Sequence, residues 1–316
     1  MQDSPISTGA STAKHLVVAA AQLGPIEPAE PLSHTVHRLV SLLHRAADRG
    51  ARLVVFPEAA LSTFFPHWTV DDEALERCFD PDLSDPALAP LFKAARERAV
   101  TFSLGFTELA RTGVATHRYN SAALVAPSGD EIGRYRKVHL PGYFEPQPTH
   151  PFQNLEKRYF EVGDLGFPTW QVLGARVGML ICNDRRWPEP FRLLGLQGVE
   201  IVLIGYNTPY HNPALPESDR LAPFQNHLSM QAGAYHNGTW VVAAAKAGVE
   251  VGVHQIGGSC VIAPSGELVA LATTEADEVV TAEIDLEQAR RYQRTTLDLA
   301  VNRRPELYGP IAERPR

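Results

Sequence analysis

The chain has 316 residues, 44% hydrophobic and 21% charged, which is room for one large α/β domain or two modest ones with no need of disulfides or metal to fold. A formal net charge of −7 with no basic stripe argues against a nucleic-acid partner, and three widely spaced cysteines, Cys78, Cys182 and Cys260, argue against a secreted disulfide framework. No run approaches the ~18 apolar residues of a membrane span, and no signal-peptide core opens the chain, so a cytoplasmic protein with no membrane partner is expected.

Residues 1–13 are polar and small and are predicted to be a disordered leader, with one domain over 14–316. "HLVVAAAQ" (15–22) reads as a buried strand. A helix follows with Ser33 as its cap, Val36, Leu39, Val40 and Leu43 as its apolar face and Gly50 at its end. "RLVVFPE" (52–58) is a strand stopped by Pro57, "PALAPLFKAARERAV" a helix and "TFSLGF" a strand. "SAALVAPSGDEIGRYRKVHL" reads as a hairpin around Pro-Ser-Gly. Residues 139–168 are Pro- and aromatic-rich with little periodicity, and so long a loop is usually functional. The second half runs "ARVGMLIC" (strand), "PEPFRLLGLQG" (helix), "VEIVLIGYN" (strand), a helix near 221–237, the strand "TWVVAAAK" and the hairpin "GSCVIAPSGELVALAT".

The two hairpins, "LVAPSGDEIGRY" and "VIAPSGELVALA", each follow an α/β stretch, a weak internal repeat. Two αβ halves, each with one sheet face covered by helices and one free, bury the free faces on each other. The predicted fold is therefore α/β, a four-layer αββα sandwich. The Pro- and Arg-rich tail, about 291–316, is expected to reach a neighbouring subunit of a homo-oligomer, a dimer or tetramer.

Chemistry concentrates at strand ends. Cys182 closes an apolar strand and precedes a helix, where backbone N–H groups can form an oxyanion site and lower a thiol pKa; a buried inert thiol is the other reading of that position. Cys78 and Cys260 lack this context and read as structural. Glu58 directly after "LVVFP" is either a partly desolvated general base or a solvated loop acid, and Lys137 after the first hairpin either a site cation or a surface lysine. Arg185 and Arg186 sit at a helix start, where the dipole disfavours cations. A bound anion offsets that, as does a salt bridge to Asp184 or Glu189. No G-x-S-x-G, H-E-x-x-H or Cys-x-x-Cys occurs, so neither a serine hydrolase nor a metal site is expected, and no cofactor is called for.

Three blocks, "LVVFPEAAL", "YRKVHLPG" and "GMLICNDRRWPE", resemble the nitrilase (carbon–nitrogen hydrolase) superfamily in order and spacing. The resemblance narrows to N-carbamoyl-D-amino-acid amidohydrolases through "STFFPHW", "PFQNLEKRYFEVGDLGFP", "GYNTPYHNP" and "LSMQAGAYHNGTW" and covers the chain from about residue 15. It implies the αββα fold, Cys182 as nucleophile, Glu58 as general base, Lys137 with the Asn183 N–H as oxyanion donors, and Glu156 as a second glutamate assisting proton transfer. It also implies a carboxylate-bearing small-molecule substrate gripped by an arginine of the Arg185–Arg186 pair, named jointly because the sequence does not say which points inward, with Asn207 and Thr208 lining the pocket. His139 either hydrogen-bonds in the site or packs under the loop. Asn154 and Gln225 stand where those relatives carry histidine, which opens an alternative substrate, another amide or ureido acid. A non-catalytic scaffold is the remaining reading, against which all four catalytic residues are present.

Overall fold

The run His15–Gln22 is almost continuously apolar, as a strand buried on both faces is, and it forms β1. In the computed structural model, which describes residues 15–313, Val18 and Ala20 face one hydrophobic cluster while Ala19 and Ala21 face another. Helix α1 (Leu32–Asp48) buries Val36, Leu39 and Leu43 as expected, and Gly50 takes a positive φ of 85° just past its end. Ser33 is not its cap. The helix begins at Leu32, two residues earlier than a Ser33 cap implies, and Pro31, with φ near −63°, occupies the cap position and pre-sets the turn. Strand β2 (Leu53–Val55) is followed by the short α2 (Asp72–Leu75) and by α3 (Ala89–Arg98). Strand β3 (Thr101–Thr112) runs past "TFSLGF" and pairs antiparallel with β4 (Ala115–Val125), which in turn pairs with β5 (Glu131–Arg136) as the first hairpin predicts.

Residues 139–168 are largely irregular, interrupted by α4 (Glu156–Tyr159). Then come β6 (Thr169–Val172), β7 (Ala175–Ile181), α5 (Pro188–Leu196), β8 (Ile201–Tyr206), α6 (Ser218–Asn237) and β9 (Trp240–Ala245). A two-stranded ribbon, β10 (Ala247–Glu250) with β11 (Val253–Ile256), precedes the second hairpin, β12 (Cys260–Ile262) and β13 (Leu268–Leu271). The chain finishes with β14 (Glu278–Asp285), α7 (Leu286–Arg294), α8 (Leu299–Asn302) and α9 (Gly309–Ala312), so the predicted tail from 291 starts inside a helix.

The strands make two six-stranded sheets, β14-β1-β2-β3-β4-β5 and β13-β12-β9-β8-β7-β6. Each has three parallel strands (β1-β2-β3 and β7-β8-β9), then an antiparallel hairpin, and each has one antiparallel strand added at the other edge. The weak sequence repeat is thus a repeat of topology. Inter-sheet residues Val18, Leu53, Val55, Ala122 and Leu124 share one core with Val177, Met179, Ile181, Val202 and Ile204 of the second sheet. Helices α1 and α3 cover the outer face of the first sheet through Leu39, Leu43 and Leu91. Helices α5 and α6 supply Phe191, Leu194, Met230 and Ala234 to the second. The architecture is the αββα sandwich. No helix among the described residues is long and apolar enough to cross a membrane.

Candidate active site

Glu58 stands just beyond the end of β2, where Pro57 ends the ladder. Its backbone is wedged between the two sheets. A Cβ on Gly105 of β3 would lie 2.3 Å from the Pro57 carbonyl oxygen, and one on Gly205 of β8 would lie 2.6 Å from the Glu58 nitrogen, so only glycine admits this close approach. The carboxylate is fully buried. Its Oε1 accepts from Lys137 Nζ at 2.7 Å and from Asn120 Nδ2 at 2.7 Å, and its Oε2 accepts from the Asn207 backbone N–H at 2.7 Å. Lys137 Nζ also donates to Glu156 Oε2 at 2.6 Å from the start of α4. One buried ammonium therefore sits between two buried carboxylates. Burial works against the Lys137 charge, but Cys182, Glu156 and Glu58 outweigh it and hold its pKa above the ordinary lysine range. For Glu156 burial prevails over the attraction of Lys137, and its carboxyl is pushed up to about 7.

Cys182 follows β7 in a left-handed conformation, φ 45°, rare for a residue with a Cβ and a sign of backbone strain at the strand end. The turn is pinned by Asp184, fully buried. It accepts from the Ile181 N–H at 3.0 Å, Tyr135 Oη at 2.8 Å, and both the backbone N–H and the ring Nδ1 of His139, at 2.9 and 2.8 Å. The Cys182 thiol donates to the Asn207 carbonyl at 3.1 Å. Asn207 therefore bridges the site, its N–H on Glu58 and its carbonyl on the thiol. The lowered thiol pKa expected at this turn is not found: burial, then the Glu58 charge, raises it, with Lys137 and Arg185 pulling the other way. A thiol held protonated in this way would need a proton acceptor beside it to act as a nucleophile.

Cys182, Asn183, Asn207, Thr208 and Glu156 all line a cleft of about 250 Å³, as do Arg186, Asn154 and Gln225. The two arginines separate. Arg186 lines the cleft and has no acidic partner among the described residues. Arg185 is 1% exposed and turned inward, so of the two it is Arg186 that faces the cleft. Its Nε donates to Asn226 Oδ1 at 2.8 Å, its Nη1 to the Cys182 carbonyl at 2.5 Å and its Nη2 to Thr208 Oγ1 at 2.8 Å, while its guanidinium lies 4.6 Å over the Tyr206 ring. Neither does His139 line this cleft. It stacks on Trp187 at 5.6 Å and borders a separate groove on the far side of Asn183.

The carbon–nitrogen hydrolase family model matches residues 17–294. The chain belongs to the carbon–nitrogen hydrolase family. It is 30% identical to the N-carbamoylputrescine amidase of Arabidopsis thaliana, over 88% of this chain and 90% of that one, and 30% identical to the citrullinase of Francisella tularensis, over 88% and 92%. A carbon–nitrogen hydrolase from Helicobacter pylori shares its fold with a TM-score of 0.79 at 24% identity, covering 95% of this chain and 99% of that one.

Several residues of this carbon–nitrogen hydrolase's site escape sequence reasoning. Asn120 lies mid-strand in β4 and reaches Glu58 across 62 positions, with no local pattern to mark it. His67, His150 and His211 line the cleft from three separate loops. Tyr135 and Asp184 were readable only as a strand aromatic and a turn acid, and their pairing depends on the two sheets meeting.

Proposed function

We propose that this nitrilase-superfamily amidohydrolase cleaves the ureido group of N-carbamoyl amino acids, the D series as the sequence resemblance implies, to the amino acid, carbon dioxide and ammonia. Glu58 takes the thiol proton as Cys182 Sγ bonds to the ureido carbon. Lys137 and the Asn183 N–H stabilise the tetrahedral oxyanion. The bond to the terminal nitrogen breaks, that nitrogen takes the proton back from Glu58, and ammonia leaves. Water, deprotonated by Glu58, then attacks the thiocarbamate carbon. The C–S bond breaks with return of the proton to sulfur, and the carbamate released loses carbon dioxide. Glu156 holds Lys137 against Glu58 during both halves.

The observation that carries the substrate reading is Arg186. Among the described residues it is the only lysine or arginine lining the cleft, and it lacks an acidic partner, which suits a substrate carboxylate gripped as a bidentate fork. N-carbamoylputrescine ends instead in an ammonium. The only carboxylate lining the cleft among the described residues, Glu156, is already bound to Lys137. A second reading keeps the chemistry and changes the substrate to another amide or ureido acid. It is favoured by Asn154 and Gln225 both lining the cleft where the resemblance has histidine.

Ammonia release from N-carbamoyl-D- and L-amino acids, N-carbamoylputrescine and simple amides tests both. Arg186→Ala is expected to lower kcat/KM by roughly 10–100-fold, about 1.5–3 kcal/mol, on carboxylated substrates and to spare uncharged amides. A wild type that prefers uncharged amides, or an Arg186→Ala that lowers both classes alike, rules out the carboxylate clamp.

A further inference from the structure

The wall of the cleft around His67 has no part in that chemistry. His67 ends the single turn Phe65–His67, is 3% exposed and lines the cleft, and its Nδ1 is buried without a hydrogen-bond partner among the described residues. Leaving such a nitrogen unpaired is unfavourable, a loss that a ligand group can recover. The residue is held firmly. Its N–H donates to the Phe64 carbonyl at 3.3 Å and its carbonyl accepts from the Gln153 N–H at 2.8 Å. Behind it lies a second buried ion pair, Lys246 with Glu250 at 2.9 Å. Lys246 Nζ donates to the Ser62 carbonyl at 2.6 Å, and Glu250 Oε1 accepts from the Phe64 N–H at 2.9 Å. The imidazole packs against Phe64, Trp68 and Phe152, with centroids 5.0, 5.7 and 5.3 Å away. Burial, and then the Lys246 charge, push its pKa down to about 3, so at neutral pH the ring is uncharged, with one donor and one acceptor. On the same cleft a second buried polar atom, Ser218 Oγ, also lacks a partner among the described residues.

We propose that His67 is a specificity-determining residue that hydrogen-bonds an uncharged polar group on the substrate's side chain, with Ser218 offering a second such contact. The enzyme then favours ureido acids ending in a carboxamide or hydroxyl over those of equal length ending in hydrocarbon. An ammonium end is disfavoured because the imidazole stands beside Lys246, and a second carboxylate because the ring does not become a cation. The inference rests on the ureido-acid reading above and deepens it.

The test compares kcat/KM for N-carbamoyl-D-glutamine and N-carbamoyl-D-norleucine in wild type, His67→Phe and His67→Gln. Phe keeps the aromatic packing and deletes the nitrogens; Gln keeps a donor and an acceptor. The glutamine-to-norleucine ratio is expected to fall about tenfold in His67→Phe and to recover in part in His67→Gln. Calorimetry of the same two compounds on Cys182→Ala, with and without His67→Phe, reads the same preference as a ratio of Kd values without turnover. An unchanged ratio in both measurements overturns the proposal, even if both rates fall together, since that is the result of a wall residue that merely shapes the cleft. If wild type hydrolyses neither compound while Cys182→Ala still binds them with the glutamine preference, the ureido-acid chemistry fails and the role of His67 stands. Absence of binding by either removes both.

Discussion

At residue scale the decisive feature is one ammonium shared by two carboxylates in a dry site. Ionising Glu58 and Glu156 together leaves a net buried negative charge beside Lys137, and Glu156, pushed up to about 7, is where that cost appears. An acid whose folded pKa exceeds its unfolded value binds protons more tightly when folded. Its contribution to stability is complete below about 4.5 and is lost as pH rises through about 7. Glu156→Gln cannot ionise and escapes that loss. Relative to wild type it should gain stability between pH 5 and pH 8, by about 3 kcal/mol at most at 1.4 kcal/mol per pKa unit. Denaturant unfolding at the two pH values measures it, and a difference that is flat or shrinks with pH means the carboxylate is ionised throughout. Cys182 and Glu58 stood out because each follows an apolar run, where a polar side chain has little reason to be unless it works there, whereas Lys137 follows the charged strand EIGRYR and was marked only by the family resemblance. Arg185 and Arg186 were not separable, because adjacent residues on a tight turn point about 120° apart and only the surrounding packing tells which one faces the cleft.

At the scale of elements, Glu58 depends on how closely β3 and β8 approach the segment after β2. Gly205→Ala puts a methyl 2.6 Å from the Glu58 nitrogen and 2.8 Å from the Pro57 carbonyl carbon, both backbone atoms that cannot swing aside. The substitution should cost about 1–3 kcal/mol and displace the carboxylate, lowering kcat by tenfold or more. Gly178→Ala on β7 is the control. Its methyl meets the Leu194 side-chain tips, with the nearest methyl at 2.7 Å, on the helix side of the sheet, so it can lower the melting temperature with far less effect on kcat. Equal kcat losses in the two variants would show that Gly205 has no special bearing on Glu58. The apolar strands β1, β2, β7, β8 and β9 were readable because burial on both faces leaves an unbroken hydrophobic run. The long arm of β3 and its partner in β4 were not: "TELARTGVATHR" carries charged residues on a partly exposed ribbon, and its pairing comes from the Gly113 turn. Strand β14 was missed for the same reason: six of its eight positions are intermediate or exposed, and only Val279 and Ile284 are buried.

Over the whole molecule, the two ends of the chain close the sandwich. Strand β14 pairs antiparallel with all eight residues of β1, from His15 opposite Asp285 to Gln22 opposite Glu278. The following α7 then ties into the second half, with Arg290 Nε donating to Glu200 Oε1 at 2.5 Å and Gln293 Nε2 to the Val199 carbonyl at 2.8 Å. Residues after α7 are different in kind. Val301, Leu307 and Ile311 expose 68%, 71% and 65% of their surface, apolar groups that none of the described residues covers. We propose that they pack on a neighbouring copy, as the Pro- and Arg-rich composition of the tail suggested. Ending the chain after Asp298 should then leave the fold intact, with a melting temperature within a few degrees of the full chain, while the mass in solution drops to that of a smaller assembly. Ending it after Ala276 removes β14 and α7, bares the edge of β1 and should yield no folded protein. Light scattering and thermal unfolding of both truncations decide the matter. A chain ending at Asp298 that keeps the full-length mass removes the tail from the interface. One that fails to fold would mean that the exposed segment stabilises its own subunit, through the contacts of α8 with α5, rather than a neighbour.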